Sequence, residues 1–115
     1  MIIEHGVWIN CYPSQKLQDY TRFKNGKNLE SLSWDTLGNI ILQNGNGYRL
    51  SMNYRGEMIR IINYKNYQLD GKYEEIFLSI KQKLCEGYYK HGRPIGKWTY
   101  WNQNGSLNRV EKHPE

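Results

Sequence analysis

The sequence predicts an all-β fold of consecutive antiparallel hairpins in a single domain, residues 1–115, and three features of its composition support this. Alanine, the best helix former, is absent. Glycine occurs 11 times and asparagine 12 times, and both tolerate the positive φ of tight turns. The chain also carries ten Tyr, four Trp and two Phe, which favour strands. A chain of 115 residues can bury one core without a disulfide or a metal.

The first 19 residues differ from the remainder of the chain. They carry two short apolar groups, Ile2-Ile3 and Val7-Trp8-Ile9, and a turn signal at Pro13-Ser14. We interpret residues 1–19 as an N-terminal cap or as edge strands. Residues 20–110 are then predicted to be degenerate β-hairpin repeats.

Internal similarity supports this division. The segment Tyr64–Tyr73 aligns with Tyr89–Trp98 at an offset of 25 residues, with four identities and an aromatic residue at the last position. A second signal is a glycine followed two residues later by an apolar residue, at Gly38, Gly56 and Gly105. The pattern predicts strand, glycine turn, strand, glycine turn with a period of about 18 to 25 residues, which is typical of repeat architectures.

Residues 74–84 fit two structures. Ile80 stands where the repeat requires a glycine, and the apolar residues of the segment also fit one face of a short helix. Against the helix, Tyr73 follows Gly71-Lys72 in the way that Trp98 follows Gly96-Lys97. This register favours strand–turn–strand, and a short helix near 74–84 remains the alternative.

The segment Gly87–Leu107 resembles a MORN-variant repeat. The residues that match the family pattern are Tyr89, Gly92, Gly96, Trp98, Trp101, Gly105 and Leu107. His91 stands where asparagine is usual, and the preceding unit has Tyr67 and Ile80 at two of the glycine positions. The resemblance implies a twisted or curved sheet of hairpins that acts as an interaction platform for proteins and in some cases phospholipids. Bacterial variant repeats of this kind are described as antitoxin-like, and no catalytic residue carries over.

No motif predicts catalysis, a metal site or a cofactor. The three histidines, His5, His91 and His113, lack a second His or Cys at metal-ligand spacing. Cys11 and Cys85 are far apart and outside any CxxC motif. We expect both to be buried free thiols, with a single disulfide as the alternative. The chain is therefore predicted not to be an enzyme.

The candidate binding site lies where basic and aromatic residues alternate in the last 30 residues. Its predicted partner-binding residues are Tyr88, Lys90, Arg93, Lys97, Tyr100 and Trp101. Aromatic rings stack on bases or fill pockets in a partner, and cations contact phosphates or carboxylates. Trp98 and Trp101 also recur at repeat positions, which favours a packing role for those two. In a strand, Lys97 and Trp101 share one face and Trp98 and Tyr100 the other.

A net charge of +5 and a pI of about 9.2 favour an acidic partner. We expect a protein partner with an acidic surface, such as a toxin, effector or enzyme, with the chain as its immunity-protein or antitoxin-like inhibitor. The alternative is direct binding to nucleic acid or anionic lipid head groups, which salt would weaken steeply. An exposed edge strand would also permit a homodimer. Neither a signal peptide nor a long apolar run is apparent, so a cytoplasmic location is expected.

Overall fold

The computed structural model describes residues 6–25, 27–53 and 55–115, which form one open sheet of ten antiparallel strands in chain order. The strands are β1 Gly6–Cys11, β2 Leu17–Lys24, β3 Lys27–Trp34, β4 Ile40–Gln43, β5 Asn46–Met52, β6 Met58–Lys65, β7 Gln68–Phe77, β8 Gln82–Lys90, β9 Arg93–Trp101 and β10 Leu107–His113. The predicted all-β fold of consecutive hairpins is confirmed. Within these ranges, no helix has the length and apolar character needed to cross a membrane.

Two-residue turns close the hairpins on one side of the sheet. Asn44-Gly45, Asn66-Tyr67 and His91-Gly92 each place both residues at positive φ, between 49° and 82°. This is the type I′ turn, whose twist matches that of the flanking strands and which selects asparagine and glycine. Tyr67 is the exception, because a tyrosine at φ 65° occupies the position where glycine is usual.

Wider turns close the hairpins on the other side. In the turn that begins at Asp35, the amide of Gly38 donates to the Asp35 carbonyl at 3.1 Å, and Gly38 has φ 90°. The turns that begin at Asn53 and Asn102 repeat this geometry, with glycine three residues later in each case. These are the turns that the recurring glycines predicted. A further copy closes β1 and β2 at Tyr12–Lys16, where Pro13-Ser14 predicted a turn. The glycine pattern did not identify it, because Gln15 takes the glycine position at φ 70°.

Residues 74–84 form strand, turn and strand. Strand β7 continues to Phe77, a single 3₁₀ turn covers Leu78–Ile80, and β8 begins at Gln82. The strand–turn–strand interpretation is confirmed, because β7 pairs with β6 on one side and β8 on the other, and the helical residues of segment 74–84 are the single 3₁₀ turn Leu78–Ile80. The positive φ of this turn falls on Lys81, at 53°, rather than on Ile80.

The register defines two faces of the sheet. The inner face carries Asp19, Arg49 and Trp98, and the outer face carries the residues that alternate with them. The sheet curls toward the inner face between β2 and β5. In a flat sheet these strands would lie about 14 Å apart, yet the Asp19 and Arg49 side chains meet at 2.7 Å.

Candidate functional site

Aromatic packing on the inner face holds strands β7–β10 together. Trp98 is buried, stacks on Tyr73 with ring centroids 5.4 Å apart, and meets the edge of Tyr89 at 5.0 Å. Its indole N–H donates to the Tyr88 carbonyl at 3.2 Å. Gly87 lies directly beneath the indole, where a Cβ atom would overlap the ring. The packing role predicted for Trp98 agrees with this position, and it fixes the strands that carry the candidate site.

Five of the six predicted site residues lie on the outer face of β8 and β9. Lys90 pairs with Arg93 across the turn, Tyr88 pairs with Ile95, and Lys97 pairs with Lys112 of β10. Trp101 lies further along β9, opposite Leu107. We call the group Tyr88, Lys90, Arg93, Lys97 and Lys112 the basic patch. Lys112 was not among the predicted residues, because only the pairing of β9 with β10 brings it there.

The cations of the basic patch are not neutralised by any of the described residues. Among the described residues, Lys90, Arg93, Lys97 and Lys112 form no ion pair. All four of these residues are exposed, and Tyr88, which lies between them, is 49% exposed. The patch therefore presents positive charge around an accessible aromatic ring.

The adjacent strands on the same face are neutralised. Lys72 and Lys83 contact the carboxylates of Glu74 and Glu86 at 2.9–3.8 Å in a four-membered network. Hydrogen bonds from Lys72 and Lys83 hold the pKa of Glu86 below its usual range. Within strands β7–β10, the basic patch therefore lies beside a neutralised network on the same face.

Tyr100 lies on the inner face, apart from the other five predicted residues. It pairs with Cys85 across β8 and β9, and the Arg109 guanidinium lies 4.0 Å from its ring centroid. Burial, together with a hydrogen bond to Glu111, raises the pKa of the Tyr100 hydroxyl to about 12. Its contacts are therefore those of a residue that packs between β8 and β10.

The two cysteines have different surroundings. Both are free; Cys85 is buried, whereas Cys11 is exposed, so the expectation that both are buried is wrong for Cys11 and the alternative of a disulfide is wrong as well. Cys11 is exposed because β1 is an edge strand of the described sheet. Burial and the nearby Glu75 carboxylate raise the pKa of the Cys85 thiol to about 11.

This difference predicts selective thiol chemistry. Because the thiolate is the nucleophile, Cys11 should react rapidly with a thiol reagent near pH 8 while Cys85 stays protonated and shielded. Titration with a chromogenic disulfide reagent should find one thiol per native chain and two after denaturation. The variant Cys11→Ser should remove the fast reaction. A fast reaction that persists in Cys11→Ser would contradict the burial of Cys85.

A trough lies on the inner face of the first six strands, where the sheet curls. Its floor is the pair Asp19 and Arg49, joined by two hydrogen bonds of 2.7 and 2.9 Å, and the Ser33 hydroxyl also donates to Asp19 at 2.7 Å. Trp8 and Tyr67, each 50% exposed, line the same trough of about 260 Å³. Sequence reasoning missed this trough, because the separation of these residues along the chain gives no indication of the curl.

The geometry offers no arrangement of metal-ligating side chains within the described part of the chain, where no three His, Cys, Asp or Glu residues cluster. Glu74 and Glu75 point to opposite faces, opposite Glu86 and Cys85. Comparison of the chain with protein-family models, with curated proteins and with solved structures finds no match. The basic patch is therefore the candidate functional site.

Proposed function

We propose that this chain is a non-catalytic module that binds an acidic protein surface through the basic patch. The observation that carries the proposal is that two pairs of cations face each other across neighbouring strands on one face, Lys90 opposite Arg93 and Lys97 opposite Lys112. Like charges directly opposite each other across two strands destabilise a sheet. Carboxylates supplied by a partner would relieve that repulsion on binding.

The composition of the surrounding face supports a protein partner. Tyr88 and Val110 are 49% and 40% exposed on the same face, so cations surround accessible aromatic and aliphatic groups. Aromatic residues and arginine dominate binding energy at protein interfaces. A standard interface needs about 800 Å² from each partner, which one face of three neighbouring strands can supply.

An inhibitor of the immunity-protein or antitoxin-like type is the form of this activity that we propose. Such a protein needs only to cover a partner's active site, which a flat face can do without any reaction of its own. The repeated alternation of tight and wide turns supports relating the chain to the MORN-variant repeats that it resembles. The positive patch then implies a target whose active-site rim is acidic.

Nucleic acid or anionic lipid head groups are the alternative, favoured by the same unpaired cations beside Tyr88. Binding to a protein and binding to phosphate groups differ in their response to salt. Phosphate contacts release counterions and therefore weaken steeply as the salt concentration rises. A protein interface with apolar contacts at its centre keeps most of its affinity. Salt and nuclease treatment therefore separate them.

The test compares two double variants that change charge equally. Lys97→Glu/Lys112→Glu reverses one pair of the basic patch, and Lys24→Glu/Lys27→Glu reverses a facing lysine pair at the β2–β3 turn. In pull-downs from source-cell lysate after nuclease treatment, we expect the first variant to lose at least about 90% of a protein retained by the wild type, because two attractive contacts become repulsive. The control should retain it.

Equal capture by both double variants would overturn the assignment of the patch. Disappearance of all captured material with nuclease or with moderate salt would overturn the protein-binding proposal in favour of nucleic acid. Circular dichroism of each variant establishes that the sheet is retained.

A further inference from the structure

The two edges of the sheet differ in their protection against further pairing. Edge strands that must remain single usually carry charges, proline or bulges. Strand β10 carries Arg109, Glu111 and Lys112, whereas β1, Gly-Val-Trp-Ile-Asn-Cys, carries no charged residue and no proline. Its pairing with β2 is regular from Gly6 to Asn10, with a register shift only at Cys11.

Strand β1 is also exposed on both faces. Val7 and Ile9 on the outer face are 48% and 58% exposed, and Trp8 on the inner face is 50% exposed. Three consecutive large apolar side chains thus flank backbone N–H and C=O groups that pair with no further strand among the described residues. An edge of this kind is a template for adding another strand.

We propose that β1 pairs antiparallel with β1 of a second copy of this chain, so that two sheets join into one. A second copy fits for two reasons. When β1 faces β1 of another copy, no charged side chains are brought together. A two-fold axis also limits the assembly to two copies, because each β1 is then fully paired. The opposite edge, β10, carries charged residues of both signs, which is a usual means of keeping an edge strand single. The inference is independent of the basic patch.

The faces of the sheet restrict the register of this pairing. A two-fold axis perpendicular to the sheet places each residue opposite one of the same face. A register centred on Trp8 sets Val7 opposite Ile9 of the second copy and Trp8 opposite its own image. A register centred on Ile9 would set Trp8 opposite Asn10 of the second copy, which matches an apolar ring with an amide. The first register is therefore assigned.

Salt should strengthen this dimer. Each copy carries a net charge of +5, so screening reduces the repulsion between copies while the apolar contacts persist. Binding of the basic patch to an acidic partner has the opposite dependence. Dimerisation and partner binding can therefore fail or succeed separately.

Sedimentation equilibrium over low to high micromolar concentrations tests the proposal. The wild type should pass from 13.8 kDa to twice that mass, with tighter association at higher salt. Ile9→Lys should weaken association at least about tenfold, because each lysine replaces the apolar cross-strand neighbour of Val7 and places a charge on the edge strand. The matched control Val110→Lys, on the opposite edge, should associate as the wild type does. A wild type that is monomeric throughout, or equal association of both variants, overturns the proposal.

Cross-linking tests the register in a Cys11→Ser background. Facing Cβ atoms in antiparallel strands lie about 4.5–5.5 Å apart, close enough for a disulfide to form with little movement. Trp8→Cys should therefore form a disulfide-linked dimer on mild oxidation, and Ile9→Cys should do so much more slowly. The reverse order overturns the assigned register.

Discussion

Substitution of Gly87 by alanine is expected to lower the free energy of unfolding by about 3 kcal/mol, the upper end for overpacking a core. A Cβ atom at this position would overlap the Trp98 indole. The ring cannot retreat, because Tyr73 stacks on it and Tyr89 contacts it edge-on. For a small domain a loss of this size is a large share of the total stability. Urea denaturation followed by circular dichroism measures it.

Gly38→Ala is the matched control for this change. Gly38 has φ 90°, but no atom lies within 4 Å of the added methyl group, so only backbone strain of about 1 kcal/mol is expected. In a Trp98→Leu background the additional cost of Gly87→Ala should shrink, because the smaller side chain leaves room for the methyl group. A loss for Gly87→Ala no greater than that for Gly38→Ala would show that the indole is not packed on this glycine.

The turns were the most predictable part of the fold, because positive φ selects for particular residue types. Asparagine and glycine mark most of the turns, and Gly38 and Gly105 were recognised from their spacing alone. Gln15 and Lys81 take the same conformation without the usual residue. The hydrogen bonds of the surrounding strands offset the backbone strain at such a position. The residues at the turn do not reveal these bonds, so the turn conformation could not be predicted there.

The candidate site was predictable within a strand and not across strands. The alternation of side chains along β9 correctly predicted that Lys97 and Trp101 lie on one face of the sheet and Tyr100 on the other. It could not place Lys112 opposite Lys97, because that pairing depends on a register shift between β9 and β10. The curl of the first strands was likewise hidden, since Asp19 and Arg49 are 30 residues apart.

Replacement of Asp19 by asparagine is expected to lower the free energy of unfolding by about 2–4 kcal/mol. Breaking a buried ion pair costs about 3–5 kcal/mol, and the estimate is reduced because the Arg49 side chain is 27% exposed. Asp19 accepts hydrogen bonds from Arg49, Ser33 and Asn10. The amide would leave the partly buried Arg49 cation without its counter-charge.

A double-mutant cycle separates the ion pair from the other contacts of Asp19. Asp19→Asn/Arg49→Gln should be more stable than the sum of the two single losses predicts, because no unpaired charge remains, with a coupling of at least about 1 kcal/mol. The exposed pair Arg55–Glu57 supplies the control, and Glu57→Gln should change stability by less than about 1 kcal/mol. Additive losses at Asp19 and Arg49 would contradict the pairing.

The same variant tests what holds the curl. The Asp19–Arg49 contact joins β2 to β5 across two intervening strands, so its loss should relax the inner-face trough and not only weaken the fold as a whole. Hydrogen exchange in Asp19→Asn should therefore lose more protection in β4 and β5 than in β8 and β9, where the Trp98 packing is unchanged. Uniform loss across all ten strands would mean that the curl is maintained by the turns and the strand twist, with the ion pair contributing only to global stability.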